Sequence, residues 1–238
     1  MADPLTGREI LVGLKKAATW GTAVACGAND GLLISSETIK QVFDELLDDS
    51  LGQMWPKYSD RGKRNVAGTI DGYMRYEGFD VALALIAGVA GAPTQQGVTA
   101  AYINTYALAD NILGLFGTLP MLKKSDIVFE VPSAKLFGFT LGGEMNSPCT
   151  ISLNIVGNQQ IRDSVVNTDV TMANITYPDV ENRLIMNSDT HFWINDKSGI
   201  ALASGDAVCP SSFEFTFNRQ EEGDFTVCNA GVSEPGGV

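Results

Sequence analysis

The amino-acid pattern is that of a mainly β protein. Polar and apolar residues alternate through the fourteen positions 64–77, again through 149–156, and again where Phe213, Phe215 and Phe217 interleave with Glu214, Thr216 and Asn218. A period of two sends successive side chains to opposite faces of a strand, so each segment has one dry face and one wet face. Only residues 79–90 carry a helical stripe. Hydrophobic residues make up 45% of the 238, enough for a core and too many for a disordered chain.

Taken in order, Asn29-Asp30-Gly31 is a tight-turn signal that opens a weakly alternating strand at 31–39. Residues 41–64 break the pattern. Asp44, Glu45, Asp48 and Asp49 make their first half acidic, Lys57, Arg61, Lys63 and Arg64 make their second half basic, and Trp55, Pro56 and Tyr58 lie between. This reads as a long loop, and loops of such length in a compact domain are usually functional.

In 64–77, Val66, Ile70, Met74 and Tyr76 share one parity with Gly68 and Gly72, while Thr69, Asp71, Arg75 and Glu77 share the other with Ala67 and Tyr73. Such a strand exceeds the usual five or six residues, roughly, and suits an extended sheet or a barrel wall. Residues 79–90 read as a short helix with Leu83, Ile86 and Ala90 on one stripe, closed by Gly88, Gly91 and Pro93. A buried strand is the alternative.

Further strands are expected at 98–108, at 127–131 and 135–141 on either side of a break at Pro132, and at 149–156. In the last, Thr150, Ser152 and Asn154 oppose Ile151, Leu153 and Ile155. A hairpin is expected from 183–185 and 190–194 around Asn187-Ser188-Asp189. The whole, 1–238, reads as one domain with terminal arms at 1–8 and at 231–238, the latter rich in Gly and Pro.

The sequence lacks the signatures of the common chemistries. There is no phosphate-binding loop, dinucleotide fingerprint or nucleophile elbow. Any Ser-His-Asp triad would need His191, the one histidine, which sits beside Phe192 and Trp193 in an expected strand, a packing or surface position. Asp44 and Glu45 have no aromatic sugar platform around them. Cys26, Cys149, Cys209 and Cys228 are too widely spaced for a zinc site and read as free thiols. No enzyme, cofactor or metal is expected. A net charge of −12 repels phosphates and argues against tight DNA binding. No run approaches the ~18 apolar residues of a membrane span. Asp3, Arg8 and Glu9 are unlike a signal peptide, so synthesis in a cytoplasm is expected.

Gly13-Leu14-Lys15-Lys16-Ala17-Ala18-Thr19-Trp20-Gly21-Thr22-Ala23 resembles the opening of major tail tube proteins of tailed bacteriophages, where an aromatic-Gly-Thr-Ala turn follows a short polar strand. The strand Gly31-Leu32-Leu33-Ile34-Ser35-Ser36-Glu37, the charged loop, the strand Val66-Ala67-Gly68-Thr69-Ile70-Asp71-Gly72 and the apolar helix after Tyr76-Glu77-Gly78-Phe79-Asp80 continue that layout. The resemblance covers roughly residues 8–92.

The resemblance implies a β-sandwich or barrel-like tail tube fold with a flanking helix. It implies hexameric rings stacked into a hollow tube around a tape-measure protein, with sheets of neighbouring copies joined into an inner barrel. The partners it implies are further copies of the chain, tape-measure, tail terminator and baseplate or tail-tip proteins, and double-stranded DNA in transit; no membrane is implied. Assembly would take place in the host bacterial cytoplasm and the product would be the virion tail. On this reading Asp44, Glu45, Asp48, Asp49, Trp55, Tyr58, Arg61 and Lys63 form an inter-ring loop. Thr69, Asp71, Arg75, Glu77, Thr150, Ser152 and Asn154 line the lumen, with Arg75 neutralised by Asp71 or Glu77. The competing readings are a capsid decoration or other virion surface protein, and the inner tube of a bacteriocin or contractile injection system.

Overall fold

The computed structural model describes residues 10–48, 55, 58–124, 126–186, 190–196, 202–219 and 234. Six longer strands carry the architecture: β1 (Lys40–Leu47), β2 (Ser59–Tyr73), β3 (Gly117–Lys124), β4 (Ile127–Glu144), β5 (Thr150–Gly157) and β6 (Ser212–Asn218). With the short strands Leu11–Val12, Lys15–Lys16, Ser36–Glu37 and Ile161–Arg162 they form one ten-stranded sheet that curls into a half-barrel. The pairings are antiparallel throughout.

β4 is the spine. β3 pairs with its first half and β6 with its second half along one edge, while β5 and Ile161–Arg162 occupy the other. β2 follows β5, and its outer edge holds Ser36–Glu37 at one end and β1 at the other. The break expected at Pro132 is absent, because β4 absorbs the proline as a bulge. Gly117 pairs with Ala134, yet Leu119 pairs with Val131. Thr118 Oγ1 donates to the Pro132 carbonyl at 2.9 Å, and the Ser133 N–H donates to Asn158 Oδ1 at 3.2 Å. Both groups displaced from the ladder thus find partners.

The dry faces of these strands meet one core. Val66 and Ile70 of β2, Leu119 and Met121 of β3, Val131 and Leu136 of β4, and Ile151, Leu153 and Ile155 of β5 are all buried. Helix α1 (Asp80–Ala87) closes this core with Ala82, Leu85 and Ile86. Burying each large aliphatic side chain stabilises the fold by roughly 1.5–3 kcal/mol. α1 ends three residues earlier than the sequence stripe suggests. Gly88 takes φ 96°, and a Cβ there would lie 2.6 Å from the Ala109 Cβ, so the chain turns and Ala90 leaves the stripe.

After Gly88 the chain forms a projecting finger, with Gly88–Ala90 paired to Tyr106–Leu108 and Thr94–Gln95 to Tyr102–Ile103. The strand expected at 98–108 is the returning limb of this finger. The hairpin expected at 183–194 is replaced by separate pairings. Arg183 bridges to Arg75 and Ile185 to Pro148, while Phe192–Trp193 pairs with Ala207–Val208. Residues 187–189 lie outside the described residues.

The Trp20-Gly21 segment forms the turn that the resemblance implies, and it docks on the sheet. Trp20 stacks edge-on against Phe116 with ring centroids 5.1 Å apart, and Gly21, at φ 83°, donates its N–H to Ser133 Oγ at 2.8 Å. Farther on, Asn167 ties this segment to the sheet, accepting from the Cys26 N–H at 2.7 Å and donating to Glu130 Oε2 at 2.5 Å. A second small core of Cys26, Leu122, Val128, Met172 and Ile175 forms there beneath helix α2 (Asp169–Ala173). Of the arm expected at 231–238, Glu234 is described. Its carboxylate accepts from the Gly114 N–H and lies 3.4 Å from the ammonium of Lys135, which is 1% exposed. The arm expected at 1–8 lies outside the described residues.

Candidate functional site

The wet faces of β2, β5, β4 and β6 form one continuous polar surface, because the strand register aligns them in rows. Asn154 lies opposite Thr69 and Gly138, and Gly138 opposite Asn218. Ser152 lies opposite Asp71 and Thr140, and Thr140 opposite Thr216. Thr150 lies opposite Tyr73 and Gly142, and Gly142 opposite Glu214.

The rows are hydrogen-bonded side chain to side chain. Ser152 Oγ donates to Asp71 Oδ1 at 2.6 Å, and Ser36 Oγ donates to Asp71 Oδ2 at 2.7 Å. Thr38 and Thr69 share a hydroxyl contact at 3.0 Å, as do Thr140 and Thr216 at 3.1 Å. Asn154 Nδ2 donates to Asn218 Oδ1 at 2.9 Å. Cross-strand pairs of this kind hold a sheet's register. Along these rows the ionisable carboxylates are Asp71 and Glu214, and no lysine or arginine occurs.

The sheet is open. Among the described residues β6 has β4 as its sole strand neighbour and β1 has β2. Each presents an outer edge with backbone groups available to another strand.

Arg75 and Glu77 do not join the polar surface, because β2 ends at Tyr73. Arg75 is 8% exposed and folds inward, its Nη1 donating to the Val180 carbonyl at 2.7 Å. It is therefore not neutralised by Asp71 or Glu77, as parity suggests. Burial, and then the Arg183 guanidinium, lower its pKa from the ordinary arginine range. Glu77 lies in the exposed turn before α1.

Segment 41–64 is a hairpin over most of its length, not an irregular loop. β1 pairs with the first half of β2, and β2 begins at Ser59, five residues before the alternation becomes visible. Antiparallel pairing brings the acidic and basic halves together within one copy. Glu45 lies opposite Arg61, and Asp44 lies 3.9 Å from Lys63. Arg61 also sits over the Phe43 ring at 5.0 Å. Exposed pairs of this kind contribute about 0–1 kcal/mol. The hairpin keeps a large apolar surface in solvent, with Val42, Leu46, Leu47, Trp55 and Tyr58 exposed, Trp55 by 73% and Tyr58 by 76%. The Asp48 N–H donates to the Tyr58 carbonyl at 3.2 Å, while Asp49 lies outside the described residues.

Sequence reasoning missed Thr140, Glu214, Thr216 and Asn218 as members of the polar surface, although the alternation at 213–218 was the available signal. It also missed the finger at 88–108, where Val89, Tyr102, Ile103 and Leu108 are exposed. Among the described residues no group of histidine, cysteine and carboxylate side chains is placed to hold a metal. No helix among them is long and apolar enough to cross a membrane.

The model of the family described as phage tail tube protein matches residues 7–237. No curated protein matches the chain. Among solved structures, the chain is similar to the anti-feeding prophage cap, a tube-terminating cap, at 9% identity and TM-score 0.42 over 69% of this chain and 94% of that one. It is also similar to a type six secretion system protein at 9% identity and TM-score 0.36 over 64% of this chain and 82% of that one. Likeness at that level carries no functional weight.

Proposed function

The chain belongs to the phage tail tube protein family, a structural family of the virion tail, and on that premise we propose that it polymerises through its open sheet edges into rings that stack as a hollow, DNA-conducting tube. The observation that carries this reading is the continuous polar surface between two strand edges, β6 and β1, that are unpaired among the described residues. Edge strands are a liability in a monomer and a joining device in a ring. When β6 of one copy lies beside the β1–β2 edge of the next, the polar rows continue from copy to copy and face inward.

Width supports six copies. Four strands about 4.8 Å apart give each copy roughly 19 Å of wall. Six copies close a circumference of roughly 115 Å, or roughly 37 Å across from backbone to backbone, before strand tilt widens it. Three copies give about half that, too little once side chains occupy the interior. The three rows of Thr, Ser and Asn carry Asp71 and Glu214 and no cation, so they repel phosphates and let DNA slide, while Lys40, opposite Ala67, stands one row farther along the same parity. On this reading the whole chain acts as one tube domain, a structural protein without catalysis, assembled in the host cytoplasm around a tape-measure protein and capped by terminator and baseplate or tail-tip proteins.

Negative-stain microscopy of the purified protein tests the assembly, with hollow tubes of constant diameter expected. Cysteines introduced as Thr69→Cys or Thr150→Cys, in a background without native cysteines, test the lumen. In assembled tubes a small thiol reagent reacts with them and a reagent too bulky for the channel does not. Equal reaction with both places this surface outside and removes the proposal.

A further inference from the structure

At the end of β2 opposite the β1–β2 hairpin lies a cavity of about 650 Å³. Its walls mix the apolar side chains of Ile10, Leu33, Ile34 and Val180 with Ser35, Ser36 and Tyr73, and Arg75 and Glu37 supply charge of both signs. Glu37 is occupied, since its carboxylate lies 2.7 Å from Lys123 Nζ and accepts from the Ile39 N–H at 2.9 Å. Arg75 is only partly satisfied. It is more than nine-tenths buried, its Nη1 donates to the Val180 carbonyl, and among the described residues it forms no ion pair and its Nε has no hydrogen-bond partner. Asp179 offers it a backbone carbonyl at 3.5 Å, while the Asp179 carboxylate accepts from the Glu181 N–H. Arg183, bridged to Arg75 through the backbone, sits over the Tyr73 ring at 5.6 Å and adds a second cation beside the cavity. In a chain of net charge −12, two adjacent arginines with no ion pair among the described residues are conspicuous, although the Asp179 carboxylate acts on Arg75 through space. A buried guanidinium with an unused N–H is stabilised by a carboxylate that reaches it through charge-assisted hydrogen bonds.

We propose that the Arg75–Arg183 cavity is a carboxylate receptor, and that its occupant is the acidic tip of the β1–β2 hairpin of a second copy stacked head to tail. This rests on the tube reading above and names the partner of its axial contact. β2 spans fifteen residues, or roughly 45 Å, with Leu46, Leu47 and Asp48 beside one end and the cavity at the other. Any head-to-tail repeat along the strand direction brings one to the other, and such a contact continues without closing. The chemistry matches. The end of β1 presents Leu46 and Leu47, 59% and 56% exposed, between Glu45 and Asp48, a pairing of apolar surface with carboxylate that suits a partly apolar cavity beside two arginines. Glu45 forms no ion pair among the described residues.

Carbodiimide coupling of assembled tubes tests the contact. Arg75→Lys keeps the charge and supplies an amine that couples to a neighbouring carboxylate. In tubes grown from mixed heavy-isotope and ordinary subunits, mass spectrometry is expected to find position 75 joined to the peptide carrying Glu45 and Asp48, with the two isotopes in one product. Products confined to one copy, at Asp3, Glu9 or Asp179, overturn the proposal, as does the absence of any product at position 75.

Arg75→Gln and Arg183→Gln are each expected to raise the critical concentration for tube growth by about tenfold or more, with the melting curve of the subunit little changed for the exposed Arg183. Normal growth of Arg183→Gln together with normal growth of Arg75→Gln removes the receptor. If the hairpin variant with Asp44, Glu45, Asp48 and Asp49 neutralised still fails to stack, the tube reading survives that result and the receptor lies elsewhere. A wild-type chain that forms no stacked assembly sinks both.

Discussion

Ser152 and Asp71 face one another across β5 and β2, and the serine hydroxyl donates to the aspartate carboxylate at 2.6 Å. The other oxygen of Asp71 accepts from Ser36 at 2.7 Å, so one carboxylate joins three strands of the polar surface. Asp71→Ala removes both acceptors at a half-buried position. The expected loss is about 1–2 kcal/mol, read as a lower urea midpoint with an unchanged slope. Asp71→Asn keeps an acceptor oxygen and is expected to lose less. Equal losses in the two variants would mean that the charge matters more than the hydrogen bonds.

Gly68 lies inside a strand for a reason the fold makes plain. A Cβ there would lie 2.6 Å from Ile39 Cα and 2.7 Å from Ile39 N, because the chain entering β1 crosses directly over β2. Both atoms are backbone and have no rotamer by which to move aside. Gly68→Ala is expected to destabilise the subunit by about 1–3 kcal/mol and to raise amide exchange at residues 36–39. At Gly97, where φ is 60° and nothing lies within 4 Å, Gly97→Ala meets only backbone strain and serves as the comparison. A loss at Gly68 no larger than at Gly97 would contradict the close approach.

Trp55 is 73% exposed, whereas Trp20 is stacked on Phe116. Exposed aromatic residues on a projecting hairpin are the usual anchors of an assembly contact. Tryptophan emission is expected to shift to shorter wavelength on tube growth, and Trp55→Ala is expected to abolish most of that shift. A full shift in the variant would assign the change to Trp20 or Trp193.

Cys26 is buried, and burial, followed by the Asp30 carboxylate, pushes its thiol from 9.0 up to about 12. The raised value means that the folded state holds its proton while the unfolded chain releases it. The contribution to stability is thus complete below pH 9 and is lost as pH rises towards 12. The limiting slope for one proton is about 1.4 kcal/mol per pH unit. Thermal melts between pH 8 and 11 are expected to fall less steeply for Cys26→Ala than for the wild type. Of the three described cysteines, Cys209 is exposed while Cys26 and Cys149 are buried. In a Cys228→Ser background a thiol reagent at neutral pH is expected to modify Cys209 alone.

Alternation was legible because it is local. Whether Thr150, Ser152 and Asn154 lie on one face depends only on the backbone period, and their register partners confirm it. The dry partners Ile151, Leu153 and Ile155 are buried for the same reason. The Trp20-Gly21 turn was legible only through the family resemblance, and its form rests on the left-handed backbone that glycine allows. Pro132 was legible as a disturbance, but its form as a bulge depended on Asn158, from beyond the next strand, being present to accept the Ser133 N–H.

By itself the sequence determined the β character, the helix after Phe79, the dry and wet residues of the long strands and the charged composition of 41–64. Tertiary structure alone decided the rest, because those features depend on contacts between residues far apart in the chain. Arg75 has the parity of a wet residue, yet a bridge to Arg183 and the Val180 carbonyl draw it inward. Glu45 and Arg61 carry opposite charges on either side of a turn, and only the strand register shows that they face each other within one copy. The polar rows needed β6 to arrive beside β4 from roughly 70 residues away, a pairing whose long loop-closure cost leaves no mark on local pattern.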